Sequence, residues 1–237
     1  MVGARSAAMS FNRIVDRHID AKNPRTARRE IPAGVVSPAA AALFCAGSAA
    51  LFVVAAAQLN RLCLWLSPVA LAIVLGYSYA KRYTAAAHLV LGLSLAIAPV
   101  GAWVAVTGAF ALPPVLLGLA VLFWVAGFDV IYSLQDLEFD RREGLRSIPA
   151  RFGAARALQI ARLFHGATLV LLYAVFLSVH GGWLFGAAVV VAGGFLVRQH
   201  RLVSPSDLSR VDAAFFTANG WLSVAVLVLG AADVFLR

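Results

Sequence analysis

Apolar residues form long runs along this chain, and polar residues are concentrated in the short stretches between them. A run of about 20 apolar residues is long enough to cross a bilayer as a helix. Lipid offers no hydrogen-bond partners to an open backbone, so each run is predicted to be helical. A shorter helix is predicted over roughly 1–20. The complete predicted spans are 39–58, 62–80, 86–107, 114–135, 157–179, 182–198 and 214–235.

A motif of three polar residues spaced four apart occurs twice, each time where an apolar helix meets a basic loop. Residues at this spacing share one face of a helix and lie roughly 6 Å apart along its axis. The similarity continues downstream, where the Arg-Glu-Ile-Pro-Ala of 29–33 returns as the Arg-Ser-Ile-Pro-Ala of 146–150. We name the copies the first ladder (Asn12, Asp16 and Asp20) and the second ladder (Tyr132, Asp136 and Asp140).

Composition and charge place this pattern in a membrane. The chain is 62% hydrophobic and 13% charged, whereas soluble domains are about half apolar and about a quarter charged. If the loops alternate between the two sides, sixteen of the 20 Lys and Arg residues fall on one side, and only Arg61 and Arg237 on the other. This asymmetry predicts one membrane domain over 1–237 with both ladders on the cytoplasmic side. The asymmetry also accounts for the excess of basic residues, so nucleic-acid binding is not needed to explain them.

The ladders suit divalent cations. Mg²⁺ favours one or two carboxylates, several waters and the phosphate oxygens of a substrate. Two acidic helix faces directed at one cavity would therefore hold Mg²⁺ and, through it, a diphosphate; Asn12 is better placed for a metal-bound water or a substrate oxygen. The predicted metal ligands are Asp16, Asp20, Asp136 and Asp140. The competing interpretation is a solvated helix end whose acids pair with nearby arginines, and the repetition in register argues against it.

Further groups suit an anionic substrate. Lys81 can place a point charge on a phosphate, and Tyr77 can donate a hydrogen bond from one turn earlier. Asp129, nearly two turns deeper than Asp136, is a candidate for orienting an acceptor or polarising a neighbouring group. Arginines near these residues could bind phosphate or carboxylate, or could merely fix the orientation in the membrane. They are Arg25, Arg29, Arg82, Arg142 and Arg146.

Histidine and cysteine add no predicted metal site. Cys45 and Cys63 lie in or beside apolar spans and show no metal-ligand spacing, which favours small buried hydrophobic residues. The histidines outside the first ladder form no cluster in the sequence; they are His88, His165, His180 and His200.

Three segments carry a resemblance to a known family. They read NRIVDRHIDAKNPRTARREIPAG from position 12, YSYAKR from 77 and DVIYSLQDLEFDRREGLRSIPARFG from 129. In this order they resemble the signature segments of the UbiA superfamily of intramembrane aromatic prenyltransferases. Within it they are most similar to the 4-hydroxybenzoate polyprenyltransferase-like branch, which includes relatives of the futalosine route to menaquinone.

The resemblance implies a fold and a reaction. The fold is an all-α, polytopic transmembrane bundle of nine helices, of which this chain would supply helices two to nine, with the second incomplete at a truncated N-terminus. Mg²⁺ on the four aspartates would neutralise the diphosphate of a polyprenyl donor, and Lys81 and Arg82 would add charge as the C–O bond breaks. The allylic cation would then alkylate an aromatic acid, either 4-hydroxybenzoate or 1,4-dihydroxy-6-naphthoate, in ubiquinone or menaquinone biosynthesis.

The resemblance further implies a multi-pass protein of the bacterial inner membrane that needs no obligate protein partner. Two other hypotheses remain at this point. One is an ion-coupled carrier, since carriers also use internal repeats and interrupted helices. The other is a truncated, inactive homologue. The position of the acids at one membrane face, beside arginines, argues against the carrier.

Overall fold

The computed structural model describes residues 1–236, which form nine α-helices joined by turns and short helical segments. A 3-10 turn over Leu134–Asp136 joins α5 to α6, and a π-helical turn over Ala213–Thr217 leads into α9. Arg237, predicted on the less charged side, lies outside the described residues. The helices are α1 (Val2–Lys22), α2 (Pro38–Leu59), α3 (Arg61–Tyr83), α4 (Ala87–Thr107), α5 (Leu112–Ser133), α6 (Leu137–Arg142), α7 (Ile148–Ser178), α8 (Trp183–Arg201) and α9 (Ala218–Leu236).

The predicted multi-pass helical architecture is confirmed. Seven helical stretches are long and apolar enough to cross a membrane, one for each predicted span. The stretch between the predicted spans 114–135 and 157–179 is largely helical, because α6 follows the 3-10 turn and α7 already begins at Ile148. The chain bends at Gly153, where the backbone leaves the helical region inside α7.

A tight turn after the second ladder separates α6 from α7. Gly144 adopts a left-handed conformation with φ of 69°, and the Leu145 amide donates to the Asp140 carbonyl at 2.8 Å. This bond between the third residue after α6 and a carbonyl in its last turn satisfies a carbonyl that would otherwise have no partner. The Ser147 hydroxyl then caps α7 by accepting from the Ala150 amide, and Pro149 fits in the first turn, where no amide donor is needed.

Helix α5 is the centre of the bundle. In its most apolar stretch 39% of the residues are buried, against 17–28% in the other spans. It packs against α4 and α7, and α4 approaches it closely because small residues meet at the crossing. A Cβ added to Gly92 of α4 would lie 2.3 Å from the carbonyl oxygen of Leu122.

Large apolar side chains on the outer faces of the spans remain exposed in the isolated chain. Trp65 is 77% exposed, Leu163 72% and Val190 76%. A soluble protein seldom leaves so many large hydrophobic side chains uncovered over neighbouring helices. These faces suit acyl chains, which agrees with a protein that crosses the membrane several times.

The close approach of α4 and α5 gives a stability prediction. Replacing Gly92 by Ala would force the two backbones apart, and overpacking of this kind costs about 1–3 kcal/mol. We expect a lower midpoint of thermal unfolding in detergent. Gly101→Ala on the same helix is the matched control, because no atom lies within 4 Å of its added Cβ. Equal midpoints for both variants would contradict the close packing.

Candidate active site

The first ladder lies on α1, and its middle carboxylate is surrounded by donors. Asp16 is 2% exposed. Asn12 Nδ2 donates to it at 3.1 Å, Lys81 Nζ lies 3.1 Å away and Arg82 Nη2 donates at 3.2 Å. The two basic residues at the end of α3 therefore balance the charge of Asp16 on α1. The bond to Asp16 is the contact observed for Asn12, which was expected to face a water or a substrate oxygen.

Asp20, one turn further along α1, has its own arginine. Arg29 Nη1 lies 2.9 and 2.8 Å from the two carboxylate oxygens of Asp20, which is 3% exposed. The Thr26 hydroxyl donates to the backbone carbonyl of the same aspartate at 3.1 Å. These bonds fold the segment after α1 back over the ladder, so that its basic residues face the acids.

The second ladder departs from the predicted single helical face. Tyr132 is on α5, Asp136 in the 3-10 turn and Asp140 on α6. A 3-10 turn has three residues per turn instead of 3.6, so positions four apart no longer align as they do on an α-helix. The expectation of one continuous face for this copy is therefore wrong, and its acids take separate partners.

Arg25, from the segment after α1, is paired with the second ladder. Its Nε donates to Asp136 Oδ1 at 3.0 Å, its Nη2 pairs with the other oxygen of Asp136, and its Nη1 donates to the Tyr132 hydroxyl at 3.0 Å. Asn23 Nδ2 also donates to Asp136, at 2.9 Å. Burial acts to lower the pKa of Arg25, but the hydrogen bond to Asp136 and the charges of Asp136, Tyr132 and Asp20 outweigh it, and the pKa is raised. This side chain stays charged at any physiological pH.

Asp140 and Tyr77 complete the inner part of the site. Asp140 is 7% exposed; the Ser147 side chain lies near it, and the charges of Lys81 and Asp136 act on it. Tyr77 is half-buried one turn before Lys81, within reach of the charges of Asp16 and Asp129. The structure thus groups the predicted Tyr77 and Lys81 with both ladders.

Two predicted arginines lie away from the ladder carboxylates. Arg142 is placed over the ring of Phe139, 5.9 Å from its centroid. Arg146 Nη1 donates to the backbone carbonyl of Tyr83 at 2.8 Å. Neither guanidinium is paired with an acid in the described part of the chain.

A buried His–Asp pair supports the second ladder, and the sequence pattern gave no sign of it. His88 is 4% exposed; its Nδ1 lies 2.6 Å from Asp129 Oδ2, and its Nε2 lies 3.2 Å from the Ile148 amide nitrogen. An amide nitrogen can only donate, so Nε2 accepts and Nδ1 carries the proton given to Asp129. Asp129 thus orients His88, which holds the first residue of α7 beside Ser147.

Two further features were missed. His165 Nδ1 and His200 Nε2 lie 2.9 Å apart between α7 and α8, so the expectation that these histidines form no cluster is wrong for this pair. Aromatic rings at Trp124, Phe128 and Tyr132 continue the spacing of four down α5 from Asp136. Phe215 packs on two of them, with centroids 5.2 Å from Phe128 and 4.2 Å from Tyr132. Following the four-residue spacing of the second ladder towards the N-terminus would have identified these aromatic residues in the sequence.

The donors present fit Mg²⁺ bound together with an anionic ligand. No three His, Cys, Asp or Glu residues within 1–236 are grouped closely enough to hold a metal by themselves. Mg²⁺ requires no such cage, because waters and phosphate oxygens complete its shell. Arg82 Nε, buried without an acceptor, is an open donor beside Asp16 for an anionic oxygen. The residues that would hold the metal are Asp16, Asp20, Asp136 and Asp140.

Comparison with known proteins identifies the family of this chain. The sequence pattern of the UbiA prenyltransferase family matches residues 1–222. The chain is 32% identical to a 4-hydroxybenzoate octaprenyltransferase of Nitrosomonas eutropha, over 91% of this chain and 75% of that one. It is 33% identical to the enzyme of that name from Nitrosomonas europaea, over 94% and 75%.

Solved structures share the fold. An apo UbiA homologue from Aeropyrum pernix is 35% identical, with a TM-score of 0.89, covering 98% of this chain and 86% of that one. A UbiA homologue from Archaeoglobus fulgidus, bound to DMAPP and Mg²⁺, superimposes with a TM-score of 0.63 over 96% and 88% of the chains. At 22% identity this second likeness concerns the fold alone.

The His88 bridge gives a second prediction. His88→Leu would leave the partly exposed Asp129 carboxylate and the buried Ile148 amide without their partner, and an unsatisfied buried group costs about 1–3 kcal/mol. We expect a clearly lower midpoint of thermal unfolding. His88→Gln should retain most of the stability, because its amide nitrogen can donate to Asp129 and its oxygen can accept from Ile148.

The control is His18→Leu, an exposed histidine on α1. If His88→Leu unfolded at the same temperature as His18→Leu, or if the Gln variant were no more stable than the Leu variant, the bridge would have no structural role.

Proposed function

This chain belongs to the UbiA prenyltransferase family and is a prenyltransferase, and we propose that it transfers a polyprenyl group from polyprenyl diphosphate to an aromatic acid. The proposed acceptor is 4-hydroxybenzoate and the proposed metal is Mg²⁺, in the biosynthesis of a quinone. The observation that carries the proposal is the convergence of both ladders, with the cations that pair with them, at one end of the helical bundle.

The charges between the ladders suit a diphosphate. Lys81 and Arg82 approach from α3, and Arg25 and Arg29 approach from the segment after α1. A planar guanidinium can bind two phosphate oxygens at once, and an ammonium supplies a compact charge. Mg²⁺ bound to the aspartates would neutralise the diphosphate and make it a better leaving group.

The reaction requires a site that stabilises an allylic cation. The C–O bond to the diphosphate breaks, the diphosphate keeps the electron pair, an aromatic carbon of the acceptor forms the new C–C bond, and the ring then loses a proton. The row of Trp124, Phe128 and Tyr132 leads from Asp136 towards the membrane interior. Aromatic faces attract cations and contact isoprenoid carbon, so this row suits both the reacting carbon and the tail that follows it.

The acceptor is proposed from two kinds of support. Relatives that are 32% and 33% identical are 4-hydroxybenzoate octaprenyltransferases. Arg25 and Arg29 are also available for a carboxylate, which 4-hydroxybenzoate carries. The alternative acceptor, 1,4-dihydroxy-6-naphthoate, carries a carboxylate too, so the arginines suit both.

We further propose that 1–237 forms one membrane domain of the bacterial inner membrane, with the ladders on the cytoplasmic side. The distribution of Lys and Arg supports this orientation. Family membership favours the enzyme over the ion-coupled carrier, and the pairing of each ladder with basic residues suits an anionic substrate better than a transported cation.

The ladder carboxylates are expected to be essential. Asp16→Asn and Asp136→Asn keep the side-chain shape and remove the charge, and loss of such electrostatic stabilisation lowers turnover by about 100-fold or more. The measurement is the rate of prenylated product formation in membranes containing each variant, with Mg²⁺ and polyprenyl diphosphate supplied.

Asp207→Asn serves as the control, because this acid is exposed in the turn after α8. Full activity of either ladder variant, at equal protein level, would refute the assigned metal site.

The acceptor and metal are tested in the same membranes. We expect product from 4-hydroxybenzoate, loss of product when EDTA removes divalent ions, and recovery when Mg²⁺ is restored. Product from 1,4-dihydroxy-6-naphthoate alone would replace the proposed acceptor by its alternative. Unchanged activity in EDTA would refute the metal dependence.

A further inference from the structure

A basic cavity lies beside the C-terminal end of α3, and no ladder residue lines it. Its volume is about 480 Å³, and it is lined by residues of the α3–α4 turn and of the α6–α7 turn. The peptide of Lys81 separates the two regions: its side chain contacts Asp16, while its carbonyl accepts from the Arg146 amide at 2.7 Å. The cavity is therefore distinct from the candidate active site.

Three arginines give the cavity its charge. Arg141, Arg146 and Arg151 line it, and none of the described residues that line it is acidic. Arg141 also lies 3.6 Å from the carboxylate of Glu138, which is 83% exposed. A pair so exposed is weak, so the concave surface retains an excess of positive charge.

The arginine side chains are held in place by contacts that leave donors free. Arg141 Nε donates to the Ala150 carbonyl at 3.2 Å, and Arg146 Nη1 donates to the Tyr83 carbonyl at 2.8 Å. Arg151 lies over the ring of Phe152, 5.2 Å from its centroid. A guanidinium has five N–H donors, so each retains several for an oxygen-rich anion.

The cavity lies at the ends of membrane-spanning helices. The α3 span ends at Tyr83 and the α7 span begins at Ile148. Tyr83 is 71% exposed and Phe152 40%, and aromatic rings at such positions are typical of the headgroup region. Basic pockets between spanning helices bind anionic headgroups. We propose that this cavity binds the phosphate group of an anionic phospholipid.

Thermal unfolding of the purified chain tests this binding without depending on catalysis. Phosphatidylglycerol, phosphatidylcholine or inorganic phosphate is added in detergent to the parent and to the triple variant Arg141→Gln, Arg146→Gln and Arg151→Gln. We expect phosphatidylglycerol to raise the unfolding midpoint of the parent and to have little effect on the triple variant. Native mass spectrometry should show the corresponding loss of bound lipid.

The matched control is Arg28→Gln, Arg156→Gln and Arg201→Gln, which removes the same charge from exposed positions outside the cavity. Equal loss of lipid stabilisation in both triple variants would show general charge attraction and overturn the site. Stabilisation by inorganic phosphate equal to that by phosphatidylglycerol would overturn the lipid as ligand. If the triple variant fails to fold, Arg141→Gln with Arg151→Gln keeps the Arg146 bond to Tyr83, and undiminished lipid binding there would refute the proposal.

Discussion

Neutralising buried carboxylates is the constraint that organises one end of this membrane bundle. Asp16, Asp20 and Asp140 are almost entirely enclosed, and breaking a buried ion pair by removing one partner costs about 3–5 kcal/mol. Asp16 and Asp20 are paired with Lys and Arg, Asp136 is paired with Arg and Asn, and Asp140 lies within reach of the charge of Lys81. Because the acids are on α1, in the 3-10 turn after α5 and on α6, the chain must bring cations to both ladders.

The irregular segments take their paths from that requirement. The segment after α1 folds back so that Arg29 reaches the first ladder and Arg25 the second. The end of α3 presents Lys81 and Arg82 to Asp16. The backbone carbonyl of Lys81 also accepts a hydrogen bond from the Arg146 amide, in the turn after α6. The His88–Asp129 pair then fixes the start of α7, where Ser147 meets Asp140. Turns that look separate in the sequence are thus joined by one charge network.

The sequence predicted the spans and the identity of the ladders because both depend on local pattern. Apolar runs define spanning helices, and spacings of four place Asp16 and Asp20 on one face. The 3-10 turn at Leu134–Asp136 was not predictable, since residues of the same types also occur in α-helices. His88 and Asp129 are 41 positions apart, and Arg25 and Asp136 are 111 apart. Single-sequence spacing carries no information on such pairs, which are set by how the helices pack.

The same ion pairs bear on how the proposed reaction would begin. Arg25 engages Asp136 through two nitrogens and Tyr132 through the third, so it cannot turn to a diphosphate while Asp136 still needs it. Mg²⁺ held by Asp136 would supply positive charge to that carboxylate, and Arg25 would then be available for a phosphate oxygen of the proposed donor. Pairs of this kind therefore keep basic groups in reserve, next to the place where the donor's charge would enter.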